Sequence, residues 1–264
     1  MSHTQYEAIG DVAVVTLTNP PANLFTAGVM SGLAEGVKRA REEGRRAMVI
    51  QADGPLFSGG ADVSLFHGTS AAQGRDLFEE GLAVIGAIED APFPVISAVH
   101  GMCLAAGLEI ALASDLVIAA EGTRFAQVEA LIGATTFLGG AYRLAERCGS
   151  ARALEITFSG QQYTAEAFER WNVINRIVPA DELREQALAW AQKLAKGPTQ
   201  AHAATKRLVQ YSLMYGPRQA DRYLLDAATP LFETRDMQHA VGLMLSEGSR
   251  AFLKNHDDVV FEGK

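Results

Sequence analysis

Two glutamates lie in segments whose other residues are almost all apolar. Glu109 lies within residues 94–120, PVISAVHGMCLAAGLEIALASDLVIAA, where Asp115 is the only other carboxylate. Glu129 follows 20 positions later, between apolar neighbours in FAQVEALIG. Burying an unpaired carboxylate costs several kcal/mol, so a chain that keeps one in its interior is expected to use it. Two interior glutamates indicate general acid–base chemistry.

Two backbone amides are candidates for binding a negatively charged oxygen. In the loop FSGGAD, residues 57–62, the glycine pair ending at Gly60 frees the backbone to approach a ligand, and the N–H of Ala61 could then point into a cavity. In HGMCLAAGLE the chain leaves a strand and begins a helix, so the N–H of Ala106 has no partner within the helix. Gly107 and its small neighbours leave room for close approach. Two such amides make an oxyanion hole.

The spacing of these groups predicts that they act together. Glu109 follows Ala106 by three residues, so both lie on one face of the predicted helix, about one turn apart. The carboxylate is then expected beside the group whose oxygen the amide binds. Each feature alone is common, and the ordered set is far more specific than its members.

Length, charge and cysteine content limit the class of protein. The chain has 264 residues, is 48% hydrophobic and carries a net charge of −8, which fits a folded protein of one large domain and argues against nucleic-acid binding. Cys103 and Cys148 have no metal-binding spacing and are expected to be unpaired in a reducing, cytoplasmic compartment. Charges and glycines interrupt the apolar run at 94–120, so no membrane span is expected.

Strands and helices alternate in the first part of the chain, and helices dominate the rest. The sequence predicts strands at 12–17, 47–52, 95–99, 116–120 and 173–178, and helices at 30–46, 75–88, 104–113, 151–158, 165–171, 181–196, 199–215, 218–232 and 235–246. Such alternation indicates an α/β arrangement. We therefore expect an α/β core at about 1–195 and a helical C-terminal region at about 196–264.

Three segments resemble the crotonase (enoyl-CoA hydratase/isomerase) superfamily. FSGGAD resembles the family loop that supplies the first oxyanion amide, here Ala61. PVISAVHGMCLAAGLEIALASD resembles the strand–turn–helix that supplies the second amide, here Ala106, and the first catalytic glutamate, here Glu109. FAQVEALIGATTFLGGAYRL resembles the segment with the second catalytic glutamate, here Glu129. The resemblance extends over nearly the whole chain.

The resemblance implies a fold, a substrate class and a reaction. The fold would be a spiral of ββα units with a helical C-terminal trimerisation region, assembled as a homotrimer or homohexamer. The substrate would be a coenzyme A thioester whose carbonyl lies between the two amides, with no metal and no separate cofactor. In the hydratases of the family both glutamates bind one water, which adds to C3 while C2 receives a proton. The presence of both glutamates favours an enoyl-CoA hydratase, a lyase of fatty-acid and lipid metabolism.

Three further residues, together with Gly60 and Gly107, are expected near the substrate. Asp62 is predicted to fix the oxyanion loop by bonding its backbone amides, and with Gly60 and Gly107 it is counted among the substrate-binding residues. Lys254, in the last helix, is a candidate for contact with a CoA phosphate. Phe137 stands where many hydratases have glycine, and we expect it to reshape the acyl pocket.

Two other functions remain open on the sequence. The first is a different crotonase reaction, such as double-bond isomerisation or decarboxylation on an acyl carrier, which would not need Glu129. The second is a catalytically silent protein that binds acyl-CoA as a sensor or scaffold. Replacement of each glutamate and a panel of enoyl-CoA substrates would separate these functions from hydration.

Overall fold

A computed structural model describes residues 3–264; Met1 and Ser2, the first residues of the predicted core region, lie outside it. The described residues form the strands β1 Thr4–Ile9, β2 Val12–Leu17, β3 Ala47–Ala52, β4 Val95–Val99, β5 Met102–Leu104, β6 Leu116–Ala120, β7 Arg124–Ala126, β8 Tyr163–Thr164 and β9 Arg176–Val178. The helices are α1 Ala27–Glu42, α2 Ala71–Glu89, α3 Ala106–Ala113, α4 Gly140–Cys148, α5 Ser150–Ser159, α6 Ala165–Arg170, α7 Leu183–Ala195, α8 Thr199–Tyr215, α9 Pro217–Ala228, α10 Arg235–Glu247 and α11 Ser249–Lys254. Short 3-10 helices occupy Val63–Leu65, Glu129–Ile132, Thr229–Glu233 and His256–Asp258.

The larger sheet has the strand order β1-β2-β3-β4-β6-β9. Its β1–β2 pair is antiparallel, and every following pair is parallel. The observed bounds of β2, β3, β4 and β6 agree with the sequence prediction. Almost every residue of these four strands is buried, because a parallel sheet covered on both faces requires continuous apolar runs.

A second, smaller sheet lies beside the first and contains β5, β7 and β8. Isolated bridges continue its pattern: Ser58 pairs with Cys103, and Phe25 pairs with Ala61. After β2, β3, β4 and β6, the chain therefore passes through a short extended segment of the second layer and then enters a helix. This repeating ββα path is the predicted spiral, and solved structures reported below share the fold.

Two apolar clusters hold these layers together. One fills the space between the sheets and the helices α1, α2 and α3. The other lies on the opposite face of the large sheet, where α7 packs Leu183, Ala187, Ala191 and Ala195 against it. The small side chains of α7 let that helix lie close to the sheet.

Several predicted boundaries were wrong. The helix predicted to begin at Leu104 begins at Ala106, because Met102–Leu104 pair with β7 instead. The strand predicted at 173–178 is limited to Arg176–Val178, and the helix predicted at 218–232 ends at Ala228. The sequence prediction also did not contain β1, β5, β7, β8 and α4, and it placed Lys254 in the last helix without giving the bounds of α11.

The C-terminal region is helical, as predicted, and leaves apolar side chains in solvent. Helix α9 has no buried residue, and its Leu225 is 68% exposed. Phe232 and Leu245 are exposed by 63% and 80%. Between residues 3 and 264, none of the helices combines the length and the apolar character needed to cross a bilayer.

Candidate active site

The two loops that carry Ala61 and Ala106 are joined by backbone hydrogen bonds. The Ser58 amide donates to the Met102 carbonyl at 3.1 Å, and the Leu104 amide donates to the Ser58 carbonyl at 3.0 Å. Gly60 has φ of 100°, and a Cβ there would lie 2.9 Å from the Cβ of Ala105. The predicted loop glycine is therefore required for the close approach that brings the two segments to one cleft.

Both predicted oxyanion amides belong to residues that line this cleft. Ala106 is the first residue of α3, so its N–H has no acceptor within the helix. Ala105 precedes it with φ 47° and ψ −122°, a conformation that L-residues seldom adopt. Within residues 3–264, neither the Ala61 nor the Ala106 amide donates a hydrogen bond to another protein group. The two amides are thus available to an oxygen in the cleft.

Glu109 is held from one side by the segment that leads into α4. Its side chain is 2% exposed, and its Oε1 accepts hydrogen bonds from the Leu138 and Gly140 amides, both at 2.8 Å. A Cβ on Gly140 would lie 2.2 Å from the side-chain amide of Gln127 and 3.0 Å from the Cγ of Glu109, so a larger residue would displace these side chains. Because both donors bond to Oε1, Oε2 is left for another partner.

Glu129 lies in the 3-10 helix Glu129–Ile132 and is 8% exposed. Gln127, which is fully buried, lies beside it. With the amide nitrogen of Gln127 facing the carboxylate, it donates to Oε1 at 2.9 Å and to Oε2 at 3.1 Å. The opposite orientation would place the amide oxygen against the carboxylate oxygens. Gln127 therefore fixes the orientation of Glu129.

The two carboxyl groups titrate near neutrality. Burial is the main cause in both cases, raising the pKa of Glu109 to about 7 against the opposing effect of the Gly140 and Leu138 amides. Burial, with a smaller contribution from the neighbouring Glu109, also raises the pKa of Glu129 to about 7. Two interacting carboxyls with similar pKa values share protons as a pair. Near pH 7 the pair can therefore supply one carboxylate as a base and one carboxylic acid as an acid.

An ion pair fixes the segment above Glu109. Arg143, in the first turn of α4, donates to both carboxylate oxygens of Glu89 on α2, at 2.6 and 2.7 Å. Its third hydrogen bond goes to the Leu138 carbonyl at 2.9 Å. A bidentate pair of this kind restricts orientation as well as distance. Arg143 thereby orients the backbone that donates to Glu109.

The cleft extends from the carboxylates into an apolar chamber. It encloses about 770 Å³ that protein atoms do not fill, part of it open to solvent. Phe137 lines it and stacks on Phe78 with ring centroids 4.2 Å apart. The other lining residues are Phe25, Met30, Gly59, Ala61, Val63, Leu65, Phe66, Leu77, Gly81, Ala105, Ala106, Val128, Ile132, Leu138 and the two glutamates.

The structure places the remaining predicted site residues around the cleft rather than in it. Asp62 precedes the 3-10 helix after the oxyanion loop, where its Oδ1 accepts from the Ser64 amide at 3.0 Å. Hydrogen bonds from the side chain and the amide of Ser64 lower the pKa of Asp62. Gly107 packs on Ser58, where a Cβ would lie only 2.5 Å from the Ser58 Cβ. Lys254 ends α11 and is exposed, outside the cleft lining.

Sequence reasoning did not identify how four residues organise this site: Gln127, Leu138, Gly140 and Arg143. Three of them act through backbone amides or as a neutral amide, and such groups leave no mark on charge or periodicity. The Gly139-Gly140 pair directly before the helix-compatible run AYRLAERC was the available signal, because glycines there let a helix N-terminus approach a buried anion.

Comparison with known proteins identifies the class. The family model for enoyl-CoA hydratase/isomerase matches residues 7–258. The chain is 30% identical over 246 residues to a Bacillus subtilis protein named probable enoyl-CoA hydratase, covering 92% of each chain. It is 36% identical to a similarly named protein of Rhodobacter capsulatus, over 78% of this chain and 80% of that one. The chain belongs to the enoyl-CoA hydratase/isomerase family.

Other relatives show the range of that family. A carnitinyl-CoA dehydratase of Salmonella typhimurium is 30% identical over 95% of both chains. Among solved structures, DspI of Pseudomonas aeruginosa superposes with a TM-score of 0.89 at 27% identity, over 94% of this chain and 95% of that one. An enoyl-CoA hydratase structure from Geobacillus kaustophilus gives a TM-score of 0.92 over 100% and 98% of the two chains; at 21% identity this likeness concerns the fold alone.

Proposed function

We propose that this protein is an enoyl-CoA hydratase that adds water across the 2,3 double bond of an enoyl-CoA thioester. The observation that carries the proposal is the presence, in one cleft, of two buried carboxyl groups with raised pKa values and two unbonded amides. A single carboxylate would serve to move a proton from one carbon to another. Hydration needs both a base for water and an acid for carbon.

The proposed mechanism follows from these groups. The thioester oxygen accepts from the Ala61 and Ala106 amides, which stabilise the negative charge that develops on it. The ionised carboxylate takes one proton from the bound water as its oxygen bonds to C3. The protonated carboxyl gives its proton to C2. After the reaction the pair again carries one proton, so the cycle closes without another reagent.

The substrate and assembly are part of the same proposal. The family's named activities concern CoA thioesters, and Lys254 at the end of α11 is a candidate contact for a CoA phosphate. The exposed apolar residues of α9 and its neighbours support association into a homotrimer or homohexamer, since monomers seldom leave such surfaces in water. Light scattering of the purified chain would measure this mass directly. We place the enzyme in the cytoplasm, consistent with its two free cysteines.

The test is a panel of enoyl-CoAs followed by loss of the conjugated thioester absorbance. Conversion of at least one of them to the 3-hydroxyacyl product, identified by mass, is expected. Glu109→Gln and Glu129→Gln should each abolish this conversion. If Glu129→Gln leaves turnover intact while Glu109→Gln stops it, the reaction is a one-carboxylate isomerisation. If no enoyl-CoA is consumed but acyl-CoA binds, the protein is a binder without this activity.

A further inference from the structure

The cleft has chemically different ends. Among the side chains of residues 3–264 that line it, only those of Glu109 and Glu129 carry a polar or charged group. Every other lining side chain is aliphatic, aromatic or absent. A polar or charged group on the substrate beyond the reacting carbons would therefore lose its water without gaining a partner.

Three phenylalanines from separate parts of the chain form one wall of the apolar end. This aromatic wall consists of Phe66, which follows the 3-10 helix Val63–Leu65, Phe78 on α2, and Phe137 in the segment before α4. Phe137 stacks on Phe78 at 4.2 Å with an interplanar angle of 21°, and meets Phe66 edge to face at 5.6 Å and 71°. Such contacts fix the three rings against one another.

The position of Phe137 links this wall to the reacting carbons. The next residue along the chain, Leu138, donates its amide to Glu109 at 2.8 Å. The Phe137 side chain is therefore attached to the backbone one residue before an amide that binds Glu109. An acyl chain that extends from the carboxylates into the apolar end of the cleft has this ring in its lining.

The stacked faces of Phe78 and Phe137 are closed to a cation. Cages for quaternary ammonium groups need ring faces that are open to the ligand. Here the faces of Phe78 and Phe137 that lie 4.2 Å apart cover each other. This difference matters because one family relative is named for carnitinyl-CoA, and a carnitinyl group carries a trimethylammonium.

We propose that Phe137 determines the acyl specificity of the site, which accepts uncharged hydrocarbon acyl groups and limits their length where the chain reaches the aromatic wall. The inference rests on the proposed function for its assignment of the cleft to an acyl-CoA. It adds the class of acyl group and the residue that selects it.

The first experiment measures binding of saturated straight-chain acyl-CoAs, which cannot be hydrated, to the full-length protein by calorimetry. Affinity should rise by up to about fourfold per added methylene, and then stop rising at the length that reaches the wall. We call the chain length at which affinity stops rising the limiting chain length. Phe137→Ala should increase the limiting chain length by at least two carbons. Phe158→Ala, which removes a ring that is 75% exposed and outside the cleft lining, should leave it unchanged. An unchanged limiting chain length in Phe137→Ala overturns the inference.

Phe137→Leu provides a second variant if Phe137→Ala does not fold. Leucine keeps an apolar side chain and removes the ring, so a smaller shift in the same direction is expected. If Phe137→Leu binds the whole series as the wild type does, Phe137 does not set the length.

The second experiment compares two acyl groups of the same shape. 4-Trimethylammoniobutyryl-CoA carries a fixed positive charge, and 5,5-dimethylhexanoyl-CoA replaces its nitrogen with carbon. The uncharged thioester should bind at least tenfold more tightly. Equal or tighter binding of the charged thioester overturns the hydrocarbon specificity.

These binding measurements separate this inference from the proposed function. If the limiting chain length increases in Phe137→Ala but no enoyl-CoA is hydrated, the proposed acyl specificity stands and the hydratase proposal fails. If enoyl-CoAs are hydrated but replacing Phe137 leaves the limiting chain length unchanged, the hydratase proposal stands and the proposed acyl specificity fails.

Discussion

The two ends of the cleft are stabilised by different forces. At the polar end, each carboxylate has directional donors: two backbone amides for Glu109 and the Gln127 amide for Glu129. At the apolar end, Phe66, Phe78 and Phe137 contact one another only through dispersion and burial. Hydrogen bonds fix the acid–base groups within narrow limits, whereas the rings determine shape. We therefore expect reaction rate and acyl preference to depend on separate residues.

The largest effect is expected for Glu109→Gln. The glutamine oxygen can still accept from the Leu138 and Gly140 amides, but the group can no longer exchange a proton. The turnover number should fall by about 10²–10⁴, with the ratio of turnover between short and long enoyl-CoAs unchanged. Steady-state rates on two chain lengths measure both quantities. A variant that keeps its rate and changes its chain preference would mean that the two ends are not separate.

The next effect is expected for Ala106→Pro. Proline lacks the N–H and is tolerated at the first position of a helix, so α3 should persist while one oxyanion donor is lost. The rate should fall by about 10²–10³, again at constant chain preference. Ala106→Gly, which retains the N–H, is the matched control and should stay near the wild-type rate. Circular dichroism of both variants checks that they are folded.

A smaller effect is expected for Gln127→Met, which keeps the volume of the side chain and removes its N–H donors. A hydrogen bond to a charged group contributes about 1.5–3 kcal/mol, so the rate should fall roughly 10- to 100-fold. Because the lost donors favoured the ionised form of Glu129, its pKa should rise further, and the pH–rate profile should move to higher pH. An unchanged profile would show that Gln127 does not position Glu129.

The smallest effect concerns stability. The folded protein raises the pKa of Glu109 from its ordinary value of 4.5 to about 7, so it binds this proton more tightly than the unfolded chain. The resulting stability is present below about pH 4.5 and is lost as the pH rises through about 7. Glu109→Gln removes this loss and should increase the free energy of unfolding at pH 8 by about 1–3 kcal/mol.

Denaturant unfolding at two pH values measures this prediction. The gain in Glu109→Gln should be much smaller at pH 5, where the carboxyl is mostly protonated in the folded protein. Glu35→Gln replaces an exposed glutamate on α1 and should change stability little at either pH. A gain of equal size at both pH values would mean that burial of the Glu109 charge is not its cause.

The sequence predicted the parts of the molecule in which local pattern and tertiary environment agree. The strands β2, β3, β4 and β6 are apolar runs with at most one polar residue each, so both their type and their ends were correct. Leu104, the last residue of strand β5, was predicted as the start of α3, because it and its small neighbours suit a helix equally well; Met102 and Cys103 were assigned to no element. Only the pairing with β7 makes β5 a strand, and pairing between distant segments is not visible locally.

The candidate site shows the same division. Glu109, Glu129, Ala61 and Ala106 could be named from residue type and spacing, and the structure brings them to one cleft; their roles stay predictions. Gln127, Arg143 and the amides of Leu138 and Gly140 could not be named in this way. Their contribution depends on the position of α4 relative to α3 in the folded chain, and packing across the whole core determines that position.

The most direct test of the central claim compares Glu109→Gln, Glu129→Gln and the double variant in hydration of an enoyl-CoA that the wild type converts. If both carboxyls act on one water, each single replacement removes most of the rate, and the double variant should be no more than about tenfold slower than the slower single variant. Wild-type turnover in Glu129→Gln, or losses that multiply in the double variant, would contradict the account.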